Sequence, residues 1–218
     1  MPQVILVGYT RSGTASIART LFHMGLKDSV HESKPRPGDI PIYDIFNPPP
    51  AVPMFLEWKN FWLNFDSNWE YSKWMYVIQQ KYPHINFWIM LRDPVFACNS
   101  MVLHALKVHA RHYSIDLCAR KYDEVYSFMI EQIIHMNPKP KRLSFEKYVK
   151  GGYTEKFIEY FNLPEEKARK EAKRMLKIKM NSHGDYIIQD TPRQQNVGSI
   201  LEKCQMMRRI IESLCEEL

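Results

Sequence analysis

The sequence predicts an α/β fold in three layers, with a central, mainly parallel sheet flanked by helices. Three observations predict it. Val4–Val7 is an unbroken apolar run suited to a strand buried on both faces, and a glycine-containing turn leads from it straight into helical spacing. A second such run, Phe87–Leu91, is followed at once by a helix-start signal, Arg92-Asp93-Pro94. Between them a helical stripe stops at Pro83, just before the second run, and alternation of helix with strand is how parallel sheets are connected.

The bulk composition agrees. A chain of 218 residues has the length for one domain, 1–218, with a full core, and 45% apolar content is ordinary for a globular protein. No apolar run reaches the span of a bilayer, and Met1-Pro2-Gln3 leads directly into a strand without a signal-peptide pattern. The expectation is a cytoplasmic location with no membrane span. Cys98, Cys118, Cys204 and Cys215 are scattered and include no C-x-x-C pair, which suits structural thiols in a reducing compartment. The net charge of +6 points to an anionic ligand or acceptor. The basic residues do not gather on one aromatic-studded face, so nucleic acid is the minor option.

Taken in order, Val4–Val7 is the first strand and Gly8–Gly13 a turn of small and polar residues. From Thr14 the spacing is helical, with Ile17, Leu21 and Met24 on one stripe and Gly25 as the stop. Lys27–Ser33 reads as a short second strand with a polar end. Prolines exclude regular helix from 34 to 56, an irregular crossover or acceptor-binding cover within which Ile42–Phe46 has the pattern of a brief strand. Trp58, Phe61, Trp62 and Phe65 form a bulky helical stripe, read first as core and second as the wall of an acceptor pocket. Ser67 with Glu70 makes a capping box for a helix to about Tyr82, with Tyr71, Trp74, Met75 and Ile78 inward.

After the Phe87–Leu91 strand, Asp93 is placed to cap a helix that Pro94 opens and that carries Ser100 in its second turn. His104, Lys107, His109, Arg111 and His112 follow. With no cysteine or carboxylate at ligand spacing they read as a solvated basic face rather than a zinc site, although Lys107 and Arg111 are spaced to attract an anionic acceptor. Ile115–Met136 is amphipathic, with Cys118, Tyr122, Val125, Met129 and Ile133 inward, and stops at Asn137-Pro138. Arg142–Phe145 reads as another strand, followed by Glu146. Thr154–Phe161 and Pro164–Lys179 read as helices, the second with a charged, solvated outer face. His183–Ser199 is a polar loop, and Ser199 with Glu202 caps a last helix with Ile200, Leu201, Cys204, Met207, Ile211 and Leu214 inward.

The turns after the two apolar runs carry the chemistry. Strand, glycine loop and helix together aim backbone N–H groups and a positive helix end at an anion. Gly8 to Gly13 fits G-x-x-x-x-G, but Thr14 and Ala15 stand where a nucleotide-hydrolysing loop has Lys and Ser/Thr. The lysine for terminal phosphates and the hydroxyl for magnesium are therefore both missing, and the cation is Arg11, inside the loop. Arg92 falls at the carboxyl end of its strand, where open α/β sheets bind ligands. The polar end of the second strand falls beside the same loop, which makes His31 and Glu32 the nearest candidates for a general base.

These residues resemble the sulfotransferases that use 3'-phosphoadenosine 5'-phosphosulfate (PAPS). That family carries a [KR]-S-G-T loop for the 5'-phosphosulfate and an R-[ND]-P-x5-S motif for the 3'-phosphate; here they read Arg11-Ser12-Gly13-Thr14 and Arg92-Asp93-Pro94 with Ser100. Arg142–Phe145 with Glu146 is similar to a [LI]-x-[YF]-E strand of many members. The resemblance implies a P-loop NTPase-like sulfotransferase architecture, PAPS as cosubstrate, and no metal, since a sulfuryl group carries less charge than a phosphoryl group. It implies a cofactor site made of Arg11, Ser12, Gly13, Thr14, Ala15 and Ser16 at the 5' end, and of Arg92 and Ser100 at the 3' end. Arg11 also becomes catalytic, against the oxygen bridging phosphate and sulfate. Some members use a His as base and others a Glu, so His31 and Glu32 both stand. Ser16 occupies the position where many members stack a Trp on adenine. The acceptor implied is a hydroxyl or amine on a small molecule or glycan. Two alternatives remain: a P-loop small-molecule or nucleotide kinase, which needs the missing lysine and a magnesium ligand, and a non-catalytic sulfotransferase-like binding protein.

Overall fold

The computed structural model describes residues 3–9, 11–27, 29–30, 55–57, 75–109, 112–183 and 197–218. Its strands are β1 (Gln3–Gly8), β2 (Ser29–Val30), β3 (Phe55–Glu57), β4 (Ile85–Leu91), β5 (Lys141–Ser144) and β6 (Glu216–Glu217). They form one sheet in the order β2-β3-β1-β4-β5-β6, with every neighbouring pair parallel. The helices are α1 (Thr14–Met24), α2 (Met75–Lys81), α3 (Pro94–His109), α4 (Ile115–Ile133), α5 (Phe145–Tyr148), α6 (Thr154–Phe161), α7 (Glu165–His183) and α8 (Val197–Leu214).

The apolar runs are continuous because both faces of the sheet are covered. Ile5, Val7, Phe87, Ile89 and Leu91 pack on one side with α2, α3, α4 and α8, while Val4, Leu6, Trp88, Met90 and Leu143 pack on the other with α1, α5, α6 and α7. Each such side chain contributes roughly 1.5–3 kcal/mol on burial. Trp88 anchors the second layer, stacked on Phe157 at 5.9 Å between ring centroids. All four cysteines are buried and free, and burial pushes their thiols up, Cys118 to about 12 and Cys215 to about 11, which keeps them protonated and unreactive.

Several boundaries differ from the sequence reading. The central strand starts at Ile85 rather than Phe87, since Ile85 and Asn86 pair with Gln3 and Val4. The second strand is only Ser29–Val30 among the described residues, and Phe55–Glu57 is a strand where proline content suggested irregular chain. Phe145 is not strand: β5 ends at Ser144, whose hydroxyl accepts from Lys147 N and turns the chain into α5. The helix read as Ile115–Met136 is capped by Ser114, whose Oγ accepts from Leu117 N at 3.1 Å, and ends at Ile133. The last helix begins at Val197, so Ser199 lies inside its first turn rather than at its cap, and its C-terminal end leads into β6, which the sequence did not reveal. The Ile42–Phe46 strand, the 58–65 stripe and the Ser67 capping box lie outside the described residues. Among the described residues no helix is long and apolar enough to cross a membrane.

The topology locates a crevice. From β1 the chain passes through α1 on one face to β2 on one side; from β4 it passes through α3 on the other face towards β5 on the other side. These connections diverge between β1 and β4, which are adjacent with Gly8 opposite Met90. The loops at the carboxyl ends of those two strands therefore border the switch-point crevice of an open parallel sheet.

Candidate anion-binding site

Two hydrogen bonds and one close approach shape the β1–α1 loop. Tyr9 is fully buried and its hydroxyl donates to the Cys118 carbonyl at 3.1 Å, while Ser12 N donates back to the Tyr9 carbonyl at 2.9 Å. Arg11 then adopts a left-handed backbone, with φ of 69°. Gly13 follows at φ of 104°, and a Cβ there would come within 2.4 Å of the Phe145 ring, so only glycine fits. Helix α1 starts at Thr14 with no side-chain cap and no acidic residue in its first turn. The Ser12 hydroxyl is buried without a hydrogen-bond partner among the described residues. A helix start with no side-chain cap and no acidic residue in its first turn is an arrangement that favours an anion.

The β4–α3 turn is built in the opposite way. Asp93 caps α3, its Oδ1 accepting from Val95 N at 2.9 Å and Phe96 N at 3.4 Å, and Pro94 takes the first helical position. The other oxygen, Oδ2, accepts from Gln205 Nε2 of α8 at 2.8 Å. The carbonyl of Arg92 accepts from the Tyr122 hydroxyl at 2.8 Å, and Asp93 N donates to Glu146 Oε1 at 2.8 Å. Glu146 Oε2 in turn accepts from Ser144 Oγ at 2.8 Å and Arg208 Nη2 at 3.3 Å.

Arg11, Arg92 and Ser100 meet between these loops. Arg92 Nη1 donates to the Arg11 carbonyl at 2.7 Å, which props the left-handed residue, and Arg11 Nε reaches Ser100 Oγ at 3.4 Å. The Arg92 guanidinium lies over the Phe145 ring, 4.3 Å from its centroid. Burial lowers the pKa of both guanidinium groups: Arg11 is pulled down, and Arg92 is pulled to about 10 by burial, with Glu146 opposing and Arg11 reinforcing. Neither forms an ion pair with a carboxylate among the described residues. The two guanidinium groups are thus close, partly buried and, in the case of Arg92, held within the field of Glu146.

The sequence-derived residues fall as follows. Arg11, Ser12, Gly13, Thr14 and Ala15 form the loop and the first turn of α1, beside Arg92 and Ser100. Ser16 is otherwise engaged: its N–H bonds to the Gly13 carbonyl at 2.9 Å and its hydroxyl pairs with Tyr148 at 2.9 Å. His31 and Glu32 lie outside the described residues. Sequence reasoning missed Phe145, which lies against Gly13 and the Arg92 guanidinium, and the Tyr122, Gln205 and Arg208 side chains that reach the Arg92–Asp93 turn and Glu146 from α4 and α8. Their only signal was an inward position or a charge on an amphipathic helix, which does not say what it faces. No protein-family model matches the chain, and no curated protein matches its sequence.

Proposed function

We propose that this chain is a sulfotransferase that moves the sulfuryl group of PAPS to an acceptor hydroxyl or amine. The observation that carries the reading is the convergence of Arg11, Arg92 and Ser100 beside an uncapped helix start at the β1/β4 switch point. A bisphosphorylated nucleotide needs two anion grips near one another, and this crevice has an N–H-rich loop and a guanidinium fork. The orphaned Ser12 hydroxyl and the close approach of Gly13 to Phe145 suit a phosphate held against backbone.

PAPS supplies an activated sulfur whose bond to the bridging oxygen breaks as the acceptor oxygen or nitrogen bonds to it. The N–H groups at the start of α1 and the Ser12 hydroxyl hold the 5' end. Arg92 offers its remaining donors, with Ser100, to the 3'-phosphate. Arg11 leaves its long bond to Ser100, a contact of little strength at 3.4 Å, and faces the bridging oxygen. Negative charge grows on that oxygen as the bond breaks, so a fixed cation there stabilises the transition state more than the ground state. Glu32 or His31 takes the acceptor proton.

The test is thermal stabilisation by adenosine 3',5'-bisphosphate against AMP and ATP. At a hundred times its dissociation constant the bisphosphate should add about 2.7 kcal/mol. That gain should vanish in Arg92→Ala. An equal response to AMP, or a magnesium-dependent preference for ATP, would overturn the proposal.

A further inference from the structure

Arg92 lies one residue beyond the strand and two before the helix, so neither ladder fixes its direction. Instead, one peptide unit is gripped from both sides. The Arg92 carbonyl accepts from Tyr122 of α4, and the N–H of the same unit, on Asp93, donates to Glu146 of α5. Fixing that plane fixes ψ of Arg92 and with it the direction in which the side chain leaves the backbone. Glu146 is half-exposed, and a carboxylate in that position would ordinarily sample several rotamers. Here Ser144 and Arg208 hold Oε2, leaving Oε1 aimed at Asp93, and Arg208 is itself locked by Glu212 at 3.0 Å. Gln205, one turn earlier on α8, holds the Asp93 carboxylate.

We infer that Glu146, held in place by Arg208 of α8, is a positioning residue for Arg92 and thereby sets the preference for a nucleotide bearing a 3'-phosphate. This rests on the reading of Arg92 as the 3'-phosphate grip. The chemistry fits the role: a carboxylate whose lone pairs are spent on an N–H, a hydroxyl and a guanidinium orients the turn without neutralising Arg92 through a direct ion pair.

Calorimetric titration of the full chain with adenosine 3',5'-bisphosphate and with AMP tests it, since the ratio of the two affinities isolates the 3'-phosphate contact. Glu146→Ala is expected to cut that ratio about tenfold and leave AMP affinity within about twofold. Glu146→Gln keeps an oxygen for Asp93 N and should recover most of the ratio. Adding Glu146→Ala to Arg92→Ala should cost nothing further, because both act on one contact. A wild-type ratio in Glu146→Ala, with the ratio lost in Arg92→Ala, overturns the positioning role and leaves the 3'-phosphate grip standing. A parallel fall in both affinities also overturns it, as the mark of a merely structural brace. A wild-type ratio in Arg92→Ala overturns the functional reading itself. Should Glu146→Ala fail to fold, Gln205→Ala, which removes only the bond to the Asp93 carboxylate, is expected to lower the ratio about threefold, and an unchanged ratio there counts against the clamp.

Discussion

The two strand-to-helix turns at the crevice solve the same problem in opposite ways. After β1, the helix start has no side-chain cap, the loop turns left-handed at Arg11 and again at Gly13, and a buried hydroxyl lacks a partner among the described residues. After β4, the helix start is capped by Asp93, Asp93 is braced by Gln205, and the peptide before it is bonded on both sides. The first turn has no side-chain cap for its backbone donors, and the second spends its own on Asp93 and Glu146. On the proposed function, a site that holds two anionic groups at a set distance gains from this division, because the braced turn can serve as a reference for the uncapped one.

The contrast can be broken most severely at Gly13. Gly13→Ala forces a Cβ into Phe145 at 2.4 Å and a side chain onto φ of 104°, a strain on the order of 1–3 kcal/mol, so both melting temperature and stabilisation by adenosine 3',5'-bisphosphate should fall together. A variant that binds normally would show that the loop's close packing is dispensable. Removing the cap on the other side should be milder. Asp93→Ala is expected to cost about 1 kcal/mol, a drop of about 2–4 °C for a domain of this size, measured by thermal melting without ligand. An unchanged melting temperature would mean that α3 does not depend on its cap.

The smallest effect is electrostatic and sharpens the contrast by pH. Burial pushes the Glu146 carboxyl up, but the Asp93 N–H, the Ser144 hydroxyl and the Arg208 guanidinium outweigh it and hold it below the ordinary carboxylate range. A group depressed on folding stabilises the native state above its unfolded value and loses that contribution as pH falls through the folded one. Wild type should therefore exceed Glu146→Gln in stability near neutrality, with the gap closing below about pH 4, the ordinary glutamate range. A gap that persists in acid would assign the effect to geometry rather than to charge.

Much of the fold was legible because burial on both faces leaves a continuous apolar signature, as in Val4–Val7 and Phe87–Leu91, and because Gly25 and Asp93 use local chemistry to end and start helices. Phe55–Glu57 and Glu216–Glu217 escaped notice since strands this short are defined by their neighbours, β1 and β5, and not by their own residues. Phe145 was misread for a related reason. Its apolar character suits a strand equally well, and only the Ser144 cap turns it into the aromatic floor beneath Arg92.

The sequence by itself singled out the candidate residues: a glycine loop with Arg11 inside it and Arg92 at the end of a buried strand are local patterns, written in consecutive residues. Only the tertiary structure decided that these patterns share one crevice, because the adjacency of β1 and β4 is a choice of strand order that no local propensity encodes. The same holds for the bracing of Arg92. Tyr122, Glu146, Gln205 and Arg208 arrive from three helices far apart in the chain, and it is packing on the two faces of the sheet, rather than any motif, that brings them to one turn.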